Sequence, residues 1–272
     1  MSQPEVATLL GVEKLEVVYH NVSLAVQGVS FEVRDDQIVA LLGTNGAGKT
    51  TILRAISGFL GADDAKVTEG LIQFRGEEIQ NQPPHIITKK GIVLVPERDK
   101  IFESLTVEEN LQVPVSLKKR EEGETHLHDL IFHYFPVLAN LKNRLGGYLS
   151  GGERQMLSLS TAFLCRPTLL LVDELSLGLA PIIVDELMKL VKLIRDEQRV
   201  TVLLVEQNAL AALEIADYGY VIENGRIVFA GDTYKLKSHK DVQEFYLGRG
   251  ERETEKSYKD IKQYRRTRRW YG

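Results

Sequence analysis

Four short, mostly apolar runs stand out in a chain whose other segments mix apolar and polar positions. They cover residues 37–42, 91–95, 168–172 and 200–205. A short continuous apolar run is typical of a β-strand that is covered on both faces. Because segments with helical spacing of apolar residues separate the runs, the pattern predicts a parallel sheet whose strands are connected by crossover helices.

Looser alternation of apolar and polar residues marks the two ends of this pattern. Residues 15–19 and 27–33 alternate as half-buried strands do, ahead of the first apolar run. Residues 220–229 contain two further strand-like stretches around Asn224-Gly225, a dipeptide that strongly favours a hairpin turn. We therefore expect antiparallel β-structure beside the parallel sheet.

The segment between the second and third apolar runs has a different spacing of apolar residues. Here β-branched runs disappear and apolar residues recur at helical spacing, which predicts an inserted helical subdomain over residues 99–159. The core with its β subdomain then comprises residues 1–98 and 160–250, and a basic tail follows over residues 251–272. The predicted fold class is α/β, with a mainly parallel sheet, an antiparallel β subdomain and the helical insertion.

Composition is that of an ordinary globular protein and excludes several other classes. Of the 272 residues, 43% are hydrophobic and 26% are charged. The apolar runs are far shorter than the roughly 20 residues that span a bilayer. The start of the chain lacks the pattern of a secretory signal, and the single cysteine, Cys165, excludes an internal disulfide and a cysteine-rich zinc site. We therefore expect a cytoplasmic protein.

Charge is distributed unevenly along the chain. The formal net charge is −4, but residues 251–272 hold eight Lys or Arg and four Asp or Glu, so the rest of the chain carries −8. This acidic body argues against general nucleic-acid binding, which usually requires a basic surface. The basic tail, which also contains Tyr and Trp, fits anionic lipid headgroups, an acidic partner, nucleic acid or simple solvation.

A glycine-rich segment after the first apolar run fits the phosphate-binding pattern G-x-x-x-x-G-K-[ST]. Its residues are Gly43, Thr44, Asn45, Gly46, Ala47, Gly48, Lys49 and Thr50, and Thr51 follows in a predicted helix. Glycines let backbone N–H groups approach phosphate oxygens, and a helix N-terminus adds positive potential. We assign Lys49 to the β- and γ-phosphates and the Thr50 hydroxyl to Mg²⁺, as in a P-loop NTPase core.

Two carboxylates, Asp173 and Glu174, follow the third apolar run. The pattern puts both at the carboxyl edge of the parallel sheet, where open α/β folds bind their ligands. We assign Asp173 to Mg²⁺ and Glu174 to the role of general base toward the attacking water.

The segment Leu149-Ser150-Gly151-Gly152-Glu153 lies about twenty residues before this carboxylate pair. It resembles the signature motif of ATP-binding cassette (ABC) proteins. A serine hydroxyl and two glycine N–H groups, ahead of a helix that we expect to begin near Glu153, make a second anion site. In this family the signature faces the γ-phosphate held by another cassette, so the resemblance implies ATP as the nucleotide and a second ATPase subunit as partner.

The resemblance covers residues 11 to about 245, with informative departures from the family pattern. Tyr19 matches an aromatic residue that stacks on adenine. Glu97 stands where most cassettes have a glutamine that contacts Mg²⁺ and the attacking water, and Gln207 stands where most have a switch histidine. The resemblance thus implies catalytic roles for both, and a metal contact for Glu97. Ala180 replaces an aspartate, and Leu175 replaces a proline.

Three of these segments together look like the ATPases of branched-chain amino acid importers. They are Val-Pro-Glu at residues 95–97, Ser-Leu-Gly-Leu-Ala-Pro at 176–181 and Val-Glu-Gln-Asn at 205–208. The match is closest to the shorter of the two ATPases that pair in such importers, and urea and short-amide importers share the pattern. It implies transmembrane permease subunits as partners at the cytoplasmic face of the membrane, and a periplasmic solute-binding protein that acts through them.

Two rival functions are a soluble cassette protein that acts on nucleic acid or ribosomes, and a GTPase-type switch. The chain has neither the long coiled coil nor the second cassette of the first class. It also lacks the base-reading Asn-Lys-x-Asp of the second class.

Overall fold

A computed structural model of the protein describes residues 8–97, 101–116 and 124–245. The strands are β1 Thr8–Tyr19, β2 Ser23–Arg34, β3 Ile38–Leu42, β4 Ala65–Phe74, β5 Glu77–Glu78, β6 Ile92–Val95, β7 Leu169–Asp173, β8 Thr201–Glu206, β9 Tyr218–Glu223 and β10 Arg226–Asp232. The helices are α1 Lys49–Ser57, α2 Pro84–Lys89, α3 Val107–Ser116, α4 Glu124–Tyr134, α5 Pro136–Ala139, α6 Gly151–Leu164, α7 Pro181–Gln198, α8 Ala209–Ile215, α9 Thr233–Ser238 and α10 Lys240–Phe245. The predicted tail, residues 251–272, lies outside the described residues. Within the described ranges, no helix combines the length and the apolar character needed to cross a membrane.

The larger sheet has six strands in the order β10-β9-β3-β8-β7-β6. Neighbouring strands from β9 to β6 are parallel, and β10 pairs with β9 in antiparallel orientation. Every residue of β3, β7 and β8 is buried, which explains why these strands appear in the sequence as continuous apolar runs. The predicted parallel sheet is confirmed, and its carboxyl edge brings together the ends of β3, β7 and β8.

The smaller sheet is antiparallel, in the order β2-β1-β4-β5, and confirms the expected β subdomain. The predicted strands at residues 15–19 and 27–33 are parts of two longer strands. Strand β4 was not among the predicted elements. Its alternation is interrupted at Gly70, where φ is +90° and a Cβ would lie 2.5 Å from the carbonyl oxygens of Glu13 and Lys14. Only glycine lets β4 approach β1 this closely.

The six-stranded sheet separates two hydrophobic cores. On one face, Ile38, Ala40 and Leu42 pack with α6, α7, α8 and the helical subdomain. On the other face, Val39 and Leu41 pack with α1 and the antiparallel sheet. The chain therefore folds in layers, and the carboxyl edge of the central sheet opens between its two covered faces.

The predicted helical insertion contains α3, α4, α5 and α6. Helix α6 runs without a break across residues 159 and 160, where we placed the boundary between the helical subdomain and the core. Tyr134, near the end of α4, connects the insertion to α7. Its hydroxyl donates to Glu197 Oε2 at 2.7 Å and accepts from Gln198 Nε2 at 2.8 Å.

We expect Phe135→Ala to lower the free energy of unfolding by about 3–5 kcal/mol, because Phe135 is fully buried and its removal leaves a cavity in the helical insertion. Chemical denaturation followed by circular dichroism measures the change. The matched control is Phe102→Ala, since Phe102 is 57% exposed. Equal losses in the two variants would contradict the assignment of Phe135 to the core.

Candidate nucleotide site

The phosphate-binding pattern forms the loop between β3 and α1. Gly46 and Gly48 have φ values of 77° and 105°, which lie in the left-handed region that favours glycine. A Cβ on Gly43 would lie 2.5 Å from the carbonyl oxygen of Ile222 in β9. Gly48 caps α1 without a side-chain hydrogen bond, so the first N–H groups of the helix face the loop without a competing side chain.

The hairpin turn between β9 and β10 supports this loop. The Gly225 N–H donates to the carbonyl oxygen of Ala47 at 2.9 Å, and the Gln27 N–H donates to that of Gly225 at 2.8 Å. Gly225 has a φ of 72°, and a Cβ there would lie 2.5 Å from the Ala25 oxygen. Backbone hydrogen bonds thus connect the phosphate loop to β2 through the turn.

Lys49 and Glu174 form a buried ion pair. Lys49 Nζ lies 3.0 Å from Glu174 Oε1, and their side chains are only 3% and 8% exposed. The same ammonium donates to the carbonyl oxygen of Thr44 at 3.0 Å. Two groups that the sequence places 125 positions apart therefore meet at the carboxyl edge of the sheet.

Thr50 and Asp173 lie side by side. The Thr50 hydroxyl donates to Asp173 Oδ1 at 3.1 Å. Burial raises the pKa of the Asp173 carboxyl to about 6, and the charges of Glu174 and Glu97 act in the same direction, against the Thr50 hydrogen bond and Lys49. A hydroxyl and a carboxylate are hard oxygen ligands in a region of excess negative charge, so this donor set fits Mg²⁺.

Three other predicted site residues lie close to this centre. The Tyr19 hydroxyl, at the end of β1, is 3.2 Å from Thr51 Oγ1 in α1. Glu97 follows β6 and is near enough to Asp173 to raise its pKa. Gln207 is exposed and directly follows β8, which lies between β3 and β7 in the sheet.

The signature segment occupies the start of α6. Ser150 is the N-cap of α6: Glu153 N–H donates to its hydroxyl at 3.3 Å, and its own N–H donates to Glu153 Oε2 at 2.7 Å. The helix therefore begins at Gly151, two residues before the predicted start. Across the described residues, none of the hydrogen bonds or ion pairs joins residues 149–153 to the phosphate loop.

The two signature glycines lie close to side chains of the segment that follows Glu174. A Cβ on Gly152 would lie 2.7 Å from Ile183 Cγ2, and one on Gly151 would lie 3.0 Å from Leu179 Cδ2. The start of α6 thus lies directly against the loop and helix that follow Glu174.

Sequence reasoning missed Glu206, the last residue of β8. It has no exposed surface, and its carboxylate accepts hydrogen bonds from the backbone and side chain of Ser176. The signal in the sequence is a charged residue that closes an apolar run. Two residues after Glu174 differ from the family pattern. Leu175 is 1% exposed and lies in the core, and Ala180 precedes α7 without a side-chain cap.

A family model described as "ABC transporter" matches residues 26–176, more than half of the chain. The matched segment contains the phosphate loop, the signature segment and the carboxylate pair. The chain is a member of the ABC transporter family. Its nucleotide-binding ATPase domain, predicted from the motifs, is thereby confirmed.

Known relatives agree with this membership. The chain is 40% identical to the high-affinity branched-chain amino acid transport ATP-binding protein BraG of Pseudomonas aeruginosa, over 88% of this chain and all of BraG. It is 33% identical to BraF of the same organism, over 83% of this chain and 92% of BraF. Among solved structures, the ADP conformation of MJ1267, an ATP-binding cassette of an ABC transporter, superposes with a TM-score of 0.76 at 27% identity, covering 89% of this chain and 99% of that one.

We expect Asp173→Asn to stabilise the protein at pH 7 by an amount on the order of 2–3 kcal/mol, measured without nucleotide and with EDTA present, because it removes a buried carboxylate charge. The folded-state pKa of about 6 exceeds the ordinary value of 3.8 for an aspartate carboxyl, so the stability of the wild type falls as the pH rises from about 4 to about 6. The advantage of the variant should therefore shrink as pH falls from 7 toward 4.

Denaturant unfolding across this pH range measures the effect. Asp185→Asn is the control, because Asp185 is an exposed residue of α7 with a weak pairing to Lys189. A constant stability difference between Asp173→Asn and wild type at all pH values would contradict the argument.

Proposed function

We propose that this chain is the ATP-hydrolysing subunit of an importer for branched-chain or other hydrophobic amino acids. The observation that carries the proposal is the similarity to BraG, which extends over the whole of that protein. An alignment of 240 residues covers all of BraG but 92% of BraF, so BraG is the shorter of the two, and it is also the more similar. This agrees with the resemblance to the shorter ATPase of such importers.

The residues at the carboxyl edge of the sheet would have separate roles in ATP hydrolysis. Lys49 and the N–H groups of the phosphate loop would bind the β- and γ-phosphates. Thr50 and Asp173 would hold Mg²⁺, with Glu97 as the further carboxylate beside them. When bound, Mg²⁺ supplies positive charge that neutralises the phosphate oxygens.

Glu174 would act as the general base. Its carboxylate is buried at the carboxyl edge of the sheet and is held by Lys49, so it can accept a proton from a water that approaches the γ-phosphate. Gln207 would hydrogen-bond near the same phosphate. Unlike a histidine, it carries no charge that changes near neutral pH.

The remaining predicted site residues support roles in nucleotide and partner binding. Tyr19 is half-buried beside Thr51, at the start of the surface that would accept the adenine. Ser150, Gly151 and Gly152 would complete the site of a second ATPase subunit. Next to them, Leu177 and Ile182 are 48% and 69% exposed, which fits an apolar contact with that subunit.

An apolar groove between the core and the helical insertion fits the permease subunits. It has a volume of about 620 Å³ and is lined by α2 and β6 on one side and by α3 and α6 on the other. Pro96 and Phe102 line it within the segment that follows β6, and Phe102 is largely exposed. Docking here would put the chain at the cytoplasmic face of the membrane, with the solute-binding protein acting through the permease.

We propose that the chain is divided as its sequence predicts. Residues 1–98 and 160–250 would form the nucleotide-binding core and residues 99–159 the signature subdomain. Because α6 is continuous, the two would be joined by a rigid helix rather than by a linker.

We expect Glu174→Gln to retain ATP binding and to lower steady-state hydrolysis by about 10²- to 10⁴-fold, since the amide cannot accept the proton. Lys49→Ala should instead weaken nucleotide binding itself. Glu186→Gln, on an exposed position of α7, is the control and should match wild type. Undiminished turnover by Glu174→Gln would remove it from the role of base.

We expect Phe102→Glu to reduce co-purification with the membrane subunits while leaving ATP binding and melting temperature unchanged, because a charge in the groove opposes an apolar contact. Phe59→Glu is the matched control, since Phe59 is 43% exposed and is not among the groove residues. Equal recovery of membrane subunits with both variants would contradict docking at this groove.

A further inference from the structure

One buried carboxylate near the site has no role in the chemistry described so far. Glu206 ends β8 with no exposed surface, although burying an ionised carboxylate is costly unless hydrogen bonds compensate for lost water. The charge of the neighbouring Glu174 adds to this cost. The contacts of Glu206 show which groups compensate for this cost.

Three donors surround the Glu206 carboxylate. The Ser176 N–H donates to Oε1 at 2.9 Å and the Ser176 hydroxyl to Oε2 at 2.6 Å. The backbone N–H of Asn208 also donates to it. Ser176 lies two residues after Glu174, and Asn208 directly follows Gln207. The carboxylate thus joins the two loops that carry these residues.

Glu174 itself needs such support. Its φ of 45° is in the left-handed region, which is uncommon for a residue other than glycine. Its N–H donates to the Val205 oxygen at 2.9 Å, which fixes the backbone on the side of β8. The bonds between Ser176 and Glu206 fix the turn on its other side.

We infer that Glu206 is a positioning residue for ATP hydrolysis, which holds the Glu174 turn in place and sets its distance from the Gln207 loop. The inference rests on the proposed role of Glu174 as general base. Glu206 itself is not a catalytic residue, because it is fully buried and both its oxygens accept hydrogen bonds from Ser176.

Four variants of the full-length chain test this inference, with Mg-ATP hydrolysis and nucleotide affinity as the readouts. Glu206→Ala removes the acceptor and should lower kcat by about 10- to 100-fold, because small displacements of a reacting group are costly. KM for Mg-ATP should stay within about twofold, because the phosphate loop is untouched. Glu206→Gln keeps one oxygen acceptor and should recover part of kcat.

Ser176→Ala removes the hydroxyl while leaving the N–H bond, so it should give a smaller loss of kcat than Glu206→Ala. If Glu206 acts through Ser176, the double variant should be no slower than Glu206→Ala alone. Additive losses would overturn the inference. Should Glu206→Ala not fold, Ser176→Ala and Glu206→Gln decide, since both keep the volume and most of the hydrogen bonds.

Two controls separate positioning from stability and from the proposed chemistry. Tyr134→Phe removes a buried hydroxyl network far from the sheet edge and should lower the melting temperature without changing kcat. A kcat for Glu206→Ala equal to wild type, at a lowered melting temperature, would overturn the inference. In the same panel, normal turnover by Glu174→Gln would instead refute the proposed base.

Discussion

Excess buried negative charge at the carboxyl edge of one sheet is the constraint on which the site depends. Asp173, Glu174 and Glu206 are all buried where β7 and β8 end, and Lys49 is the buried cation among the described residues there. Each carboxylate has a donor from another segment: Thr50, Lys49 and Ser176 respectively. Because such charges are tolerated only with partners, the loops after β3, β7 and β8 must adopt shapes that present these donors.

Local patterns were sufficient for much of this arrangement. Continuous apolar runs revealed the parallel strands, since burial on both faces leaves no polar alternation. The loop at residues 43–50, Asp173 and Glu174 could be proposed as site residues because the spacing of their motifs is itself what phosphate and Mg²⁺ binding requires. Strand β4 was not predicted, because Gly70 breaks the alternation of apolar and polar residues. The close contact between Gly70 and β1 explains why glycine occupies this position. Glu206 was not predicted, because a charged residue at the end of a strand looks the same in the sequence whether water or a distant loop supplies its hydrogen bonds.

Helix α6 connects two surfaces that belong to different proposed partners. Its first residues carry the signature segment, and farther along, Ser158, Thr161 and Ala162 line the apolar groove. The capping box of Ser150 and Glu153 keeps the helix wound up to its first residue, the exposed Gly151. A displacement at the groove would therefore reach the signature segment as motion of a single rigid body, with no hinge between them.

The hairpin turn at Gly225 would also set the distance between the two places proposed to hold the ends of a nucleotide. One backbone bond ties the turn to the phosphate loop at Ala47, and another ties it to β2, whose neighbour β1 ends at Tyr19. The aromatic face proposed for the base and the N–H groups proposed for the phosphates are thus parts of one hydrogen-bonded frame. Stacking is indifferent to the polar edge of a base, whereas a frame of constant dimensions is sensitive to molecular length. By this geometry the protein would select a nucleotide by its span more strictly than by the identity of its base.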